Sequence, residues 1–343
     1  MKTRIQDMTS GSPGRLIILF AISLMLGNIC QQLYTMVDTM VVGQIAGVEA
    51  LAALGAVDFL MWVVTGISTG LTQGFSIQLS QYYGAKDFEN LRKSLAHSYR
   101  LTAFIAVGVF ILSQSFAALV LTGLHTPSNI IGRSLLYLRI IFCGIPATAA
   151  YNMFAAALRA MGNSKTPLTA MIIASVLNIL LDILFVAGFG WGVAGAAIAT
   201  VIAQSFSAVY CFLILRRIDI VHLSRADFMS AAGMNARLMK LGIPVVFQNI
   251  IIGVGGLVVQ YVINGYGFLF VAGFTATNKL YGLLEMAAIS YGYAIVTYVG
   301  QNLGAGKIDR IRKQYAAFTA YFPAYFCCHV FIWKKYPLTF HLR

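Results

Sequence analysis

Charge is the scarcest commodity in this chain. Asp, Glu, Lys and Arg make up 10% of its 343 residues, against 59% for the hydrophobic types, whereas soluble domains carry about 25% charged residues. That shortage excludes a soluble globular protein and leaves an integral membrane protein. The apolar residues come in continuous runs rather than in alternating ten-residue segments, which excludes a transmembrane barrel and leaves helices. The five cysteines, Cys30, Cys143, Cys211, Cys327 and Cys328, form no metal-spaced set and read as reduced and structural. The five histidines are scattered, and neither an H-E-x-x-H nor a G-x-x-x-x-G-K-[ST] pattern occurs. No ATP hydrolysis, no nucleophile–base set and no organic cofactor is expected. Any transport has to run on an ion gradient. The net charge of +13 does not signal nucleic acid, because the Lys and Arg residues fall in short loops between apolar runs, where a bilayer places them.

Nine apolar helices are expected, at about 15–43, 50–82, 95–122, 131–158, 167–188, 192–215, 238–264, 268–300 and 315–333. The first is too long for a signal-peptide core of about 7–15 residues and reads as a retained span. Basic residues cluster in alternate connections: before the first span, then after the second, fourth, sixth and eighth. The intervening loops are nearly free of them, apart from Arg133. The N-terminus and the basic loops are therefore expected in the cytoplasm of a multi-pass cell-membrane protein. Pro146 and Pro244 lie inside spans and are expected to mark bends.

The chain repeats itself. QYYGAKDFENLRK at 81–93 matches QNLGAGKIDRIRK at 301–313 without a gap, and the offset of 220 also relates Gly47, Ala52, Ala56 and Leu60 to Gly267, Ala272, Ala276 and Leu280. Six spans separate the copies, so both halves share one orientation, as in transporters built from parallel repeats. The expected fold is all-α: two six-helix bundles related by a parallel repeat, the second incomplete. The N-terminal bundle takes residues 1–215, a basic cytoplasmic linker 216–240, and a partial C-terminal bundle of three helices 241–343. The closing KKYPLTFHLR resembles neither a span nor a cytoplasmic loop, and the chain reads as truncated, or as ending in a shifted frame.

Two carboxylates interrupt long uncharged stretches. Leu16–Val37 holds no charge before Asp38; Thr166–Leu181 holds none before Asp182, and none follows until Arg216. A carboxylate in hydrocarbon is costly and marks function by default. Removed from water it can load a proton or pair with a cation. Asn178 lies one helical turn before Asp182 on the same face. At 1.5 Å per residue, Asp38 and Asp182 sit about 8 and 9 Å below the outer end, and Thr200 about 13 Å in. Asp38, Asn178, Asp182 and Thr200 thus form a candidate site for Na+, a hard cation that takes oxygen ligands, or for a proton shared by two acids. Water or a neighbouring Arg could instead satisfy each acid. Asp58, its repeat-mate Asn278, Glu285 with Lys279, and Arg139 are weaker candidates. GISTG at 66–70 fits a hydrolase elbow on paper, but it lies in a helix, where Gly66, Gly70 and Gly74 read as a close-packing face.

These residues carry a family resemblance. QQLYTMVDTMVVGQIAGVEALAA, the repeated Q-x-x-G-A loop, AALRAMGNSKTP and NILLDILFVAGFGWGVAGAAIAT resemble the multidrug and toxic compound extrusion (MATE) transporters, prokaryotic branch, over about residues 10–320. The resemblance implies twelve helices in two six-helix bundles around a central cavity. It implies export of cationic, amphipathic small molecules in exchange for Na+ or protons, by a monomer in the lipid bilayer. The family's N-terminal ion site matches Asp38, Asn178, Asp182 and Thr200; Tyr137 and Asn152 match cavity positions, and Tyr34 joins them as a cavity candidate. The acid that some relatives carry in the seventh helix is absent. A lipid-linked oligosaccharide flippase shares the architecture but would need a basic cavity; a non-functional truncated product is a further alternative, and an intramembrane enzyme finds no support.

Overall fold

The computed structural model describes residues 5–123, 128–229, 233–264 and 268–314, with most side chains between 257 and 284 left out. The ninth expected helix and the repeat position Gly267 lie outside the described residues, as do the side chains of Ala272, Ala276, Asn278, Lys279 and Leu280.

Among those residues the fold is all-helical. The helices are α1 (Pro13–Ile45), α2 (Val48–Gly55), α3 (Asp58–Gly84), α4 (Phe88–Gly123), α5 (Ile131–Cys143), α6 (Ile145–Ala160), α7 (Lys165–Asp182), α8 (Gly192–Leu215), α9 (Met234–Asn264) and α10 (Phe268–Gly304). Six described spans are long and apolar enough to cross a bilayer, and the α5–α6 pair makes a seventh when counted as one bent span. Phe104, Leu119, Val176 and Leu180 point outward, as acyl chains require of a bilayer-facing surface.

Three expected helices are broken or altered. The second span is two helices, α2 and α3, parted at Ala56–Val57. The fourth is α5 and α6, bent by 46° at Gly144, just ahead of Pro146, whose missing N–H leaves the ladder unable to continue. Gly144 is required for a second reason: a Cβ there would stand 2.8 Å from Val201 Cγ2 of α8. The fifth span changes from α to π geometry at Asp182, and the wider turn runs over Ile183–Gly188. The expected linker 216–240 is shorter than the basic stretch suggested. It holds two 3₁₀ turns, Asp219–Val221 and Arg225–Phe228, and α9 has begun by Met234.

Glycine fixes how the repeats meet. Along α3, Cβ atoms on Gly70 and Gly74 would run into the α9 backbone at Val246 and Gly242, so the G-x-x-x-G face is a helix-packing face. At the end carrying the basic loops, a Cβ on Gly84 would strike the Gln301 carbonyl, and a Cβ on Gly304 would strike the Gln81 carbonyl. The two copies of Q-x-x-G therefore pack reciprocally, each glycine admitting the other copy's glutamine backbone. The N-terminal segment seals this seam. Gln301 accepts a bond from Met8 N–H at 3.1 Å and donates to Ala160 O at 2.8 Å; Asn302 donates to Met8 O at 3.0 Å and accepts from Arg310 Nε at 2.9 Å. Met8, Gln301 and Asn302 are fully buried.

Candidate functional site

The site grows out of three helices. On α1, Tyr34 and Asp38 lie one turn apart, so they share a face. On α7, Asn178 and Asp182 do the same, and on α8 so do Thr200 and Gln204. α7 packs against both α1 and α8, and Ser175 Oγ of α7 donates to Cys30 O of α1 at 3.2 Å. The three polar faces point inward together. Asp38, Asn178, Asp182, Gln204 and Tyr34 are all buried, with Asn178 and Asp182 at 0% exposure.

Few of these atoms satisfy one another. Asn178 Nδ2 donates to Thr200 Oγ1 at 3.4 Å, and Gln204 Nε2 donates to Tyr34 OH at 3.0 Å. Asp38 Oδ1, Asn178 Oδ1, both carboxyl oxygens of Asp182 and Gln204 Oε1 are buried with no hydrogen-bond partner. Each such orphan costs about 1–3 kcal/mol, and five converging on one place is not how a settled core is built. Asp38 and Asp182 lie within electrostatic range of each other, and two charges of one sign in a low-dielectric interior need a proton or a cation between them. Oxygen atoms alone, two of them anionic groups and the rest amide or hydroxyl, form a donor set that fits a hard cation and equally a proton. Asp38, Asn178, Asp182 and Thr200 are the residues that would hold it.

Tyr137 of α5 is buried over the same region, in electrostatic range of Asp38, Asp58 and Asp182. Asp58 is exposed at the start of α3 and acts on Asp38 through space. Asn152 stands apart, its Nδ2 donating to Thr69 Oγ1 of α3 at 3.3 Å. The remaining candidates leave the site. Arg139 and Glu285 are exposed. Arg133, the basic residue in an otherwise uncharged loop, forms a 3.0 Å ion pair with Glu49, which cancels its charge. Two features escaped the sequence reading. One is Gln204, although its position one turn after Thr200 was a usable signal. The other is the π turn after Asp182, a distortion found mostly at functional sites, with Phe185 stacked on Trp191 at a centroid distance of 5.2 Å.

The fold and this interior acid pair define a multi-pass helical membrane protein of transporter architecture. The MatE family model matches residues 23–184 and 244–333, and the chain belongs to that family. It is 31% identical over 305 residues to the Bacillus subtilis protein named "Probable multidrug resistance protein YpnP", covering 89% of this chain and 68% of that one. It is 29% identical over 316 residues to "Probable multidrug resistance protein YoeA" of the same organism, covering 90% and 68%. The fold is similar to a solved outward-facing conformation of a multidrug resistance MATE family transporter of the MOP superfamily, with TM-score 0.87 at 23% identity over 97% of this chain and 74% of that one.

Proposed function

We propose that the chain is an ion-coupled exporter of cationic, amphipathic small molecules that works by alternating access, a transporter and not an enzyme. One observation carries the reading: five buried oxygens without partners, two of the groups carboxylates, converge where α1, α7 and α8 meet. The names of its Bacillus relatives support the cargo class, and the chain spans 68% of their length.

Asp38 and Asp182 are the charge-accepting pair. Entering from the side of the uncharged loops, a cation or proton neutralises the pair and removes the penalty of holding two charges in the interior. Asn178 and Thr200 orient their oxygens toward the same space through their mutual bond. The π turn after Asp182 lets its carboxyl shift without breaking α7, because a wide turn has slack that an α turn lacks. Neutralising the pair draws α1 and α7 together and favours release of cargo outward. Discharge toward the cytoplasm restores the repulsion and resets the carrier. The differential affinity of the two states for the ion is the whole driving force.

Asp38→Asn and Asp182→Asn, each nearly isosteric, are expected to reduce ethidium efflux from vesicles with an imposed Na+ or proton gradient to the level of empty vesicles. Undiminished gradient-driven efflux in either variant contradicts the reading.

A further inference from the structure

The Gln204 carboxamide occupies an unusual place. α8 runs opposite to α1 and α7, so the step from Thr200 to Gln204 follows the same direction as the steps from Asp38 to Tyr34 and from Asp182 to Asn178, about 6 Å each. The polar residues therefore form a column, with Asp38 and Asp182 towards its outer end and the Tyr34–Gln204 bond closing the inner end. Gln204 is 9% exposed and its Oε1 has no partner. Tyr34, 3% exposed, is reached by Gln204 at 3.0 Å and also by Gln31, which is exposed. The phenol thus bridges an exposed amide and a buried one.

We propose that Gln204 is the positioning residue that couples the ion site to the substrate cavity, its carboxamide shared between the Tyr34 phenol and the carboxylate column. This rests on the assignment of Asp38 and Asp182 as the coupling pair. An amide is planar and rigid, so its oxygen and nitrogen turn together. Oε1, like Asn178 Oδ1, is an uncommitted neutral oxygen of the column. Committing it toward the column swings Nε2 off Tyr34, and the phenol, left with Gln31 alone, is no longer held where cargo would meet it. Committing Nε2 to Tyr34 withdraws Oε1 from the column. The two states of one side chain make ion occupancy and cargo contact compete, which is a coupling free energy between two sites and therefore reciprocal.

The test uses the purified protein in detergent micelles and reads two equilibria: ethidium binding by fluorescence, with NaCl exchanged for choline chloride and separately across pH, and ²²Na+ binding without ethidium. In the unaltered protein the ion is expected to weaken ethidium binding by about 10-fold, within the usual range of allosteric coupling. Gln204→Leu is expected to keep ethidium affinity in the absence of ion within about 3-fold while the ion's effect collapses toward none; Tyr34→Phe, whatever its own ethidium affinity, is expected to lose the ion's effect as well, read as the ratio of affinities with and without ion. The double variant is expected to be no worse than either single, because both break one link. An unchanged ion effect in Gln204→Leu overturns the inference and leaves the acid pair's role standing. Additive losses of the ion's effect in the double variant, or loss of ethidium binding by Gln204→Leu even without ion, also overturn it, since those mark a merely structural residue. Asp182→Asn separates the two claims: retention of the ion's full effect there overturns the underlying assignment instead.

Discussion

Two buried polar clusters in this molecule look alike in composition and differ in how they are satisfied. At the seam between the repeats, Gln301 and Asn302 are fully buried, and each has both ends of its amide paired. In the α1–α7–α8 column, the Asn178 and Gln204 amides pair only through nitrogen, and the oxygens are left alone beside two carboxylates. The first cluster is a bolt: its groups are spent on one another and nothing remains for a ligand. The second leaves its oxygens uncommitted, which is what the proposed cation or proton site requires. The helices agree with this division. The seam is built on α3 and α10, each one continuous helix, pressed to glycine contact; the column is built on a π turn and stands beside a bent span.

The largest effect is expected at the seam glycines. Gly84→Leu, or Gly304→Leu, forces a side chain into the opposing backbone, and no rotamer can relieve a clash with a carbonyl. Loss of the folded state is expected, well beyond the about 1–3 kcal/mol of ordinary overpacking, and size-exclusion chromatography in detergent should show aggregate in place of a monodisperse peak. A monodisperse, thermally stable Gly84→Leu protein would show that the repeats do not meet this way. Gln301→Leu comes next. It strands the Met8 N–H and the Ala160 carbonyl, for an expected loss of about 2–4 kcal/mol, read as a lower melting temperature.

A smaller effect is expected in the basic connection between α8 and α9. Asp227 is buried there and would be pushed upward by desolvation, but bonds from the Ser224 N–H and hydroxyl, both to Asp227 Oδ2 at 2.7 and 2.8 Å, and the nearby Arg92 outweigh burial, so its carboxyl titrates below the ordinary value. A carboxyl lowered by folding contributes its full stability above the ordinary carboxylate range, and the contribution is lost as pH falls through the lowered value. Asp227→Asn is therefore expected to cost about 1 kcal/mol at neutral pH, the size of a lost cap, and much less at strongly acid pH. Limited proteolysis between α8 and α9 at the two pH values checks both halves of that statement.

Most of the fold was legible because a bilayer writes it in long apolar runs. The span 192–215 agrees with α8 at both ends. The errors cluster where hydropathy stops reporting on the backbone. α4 begins at Phe88 and α9 by Met234, several residues before their apolar runs, because a helix continues into water wherever its residues favour one. The breaks at Ala56–Val57 and Gly144 were invisible because the residues on both sides are equally apolar; Pro146 alone hinted at the second. Asp38 and Asp182 were legible as lone charges in hydrocarbon. Gln204 was harder to see, because a neutral amide in a span carries no comparable penalty; its place one turn after Thr200 was a weak signal, and its burial beside Tyr34 singles it out.

Ion binding in the α1–α7–α8 column is read from the melting temperature of the purified protein against Na+ concentration and, separately, against pH, in the unaltered chain and in Asp38→Asn and Asp182→Asn. A ligand that binds the folded state alone stabilises it by RT ln(1 + [L]/Kd), about 2.7 kcal/mol at a hundred-fold excess over Kd. If the column is the coupling site, the unaltered protein gains stability with one of the two ions, and both variants start at or above its ion-free value and lose that dependence. Equal ion-dependent gains in the unaltered protein and both variants would place the ion elsewhere and contradict the account.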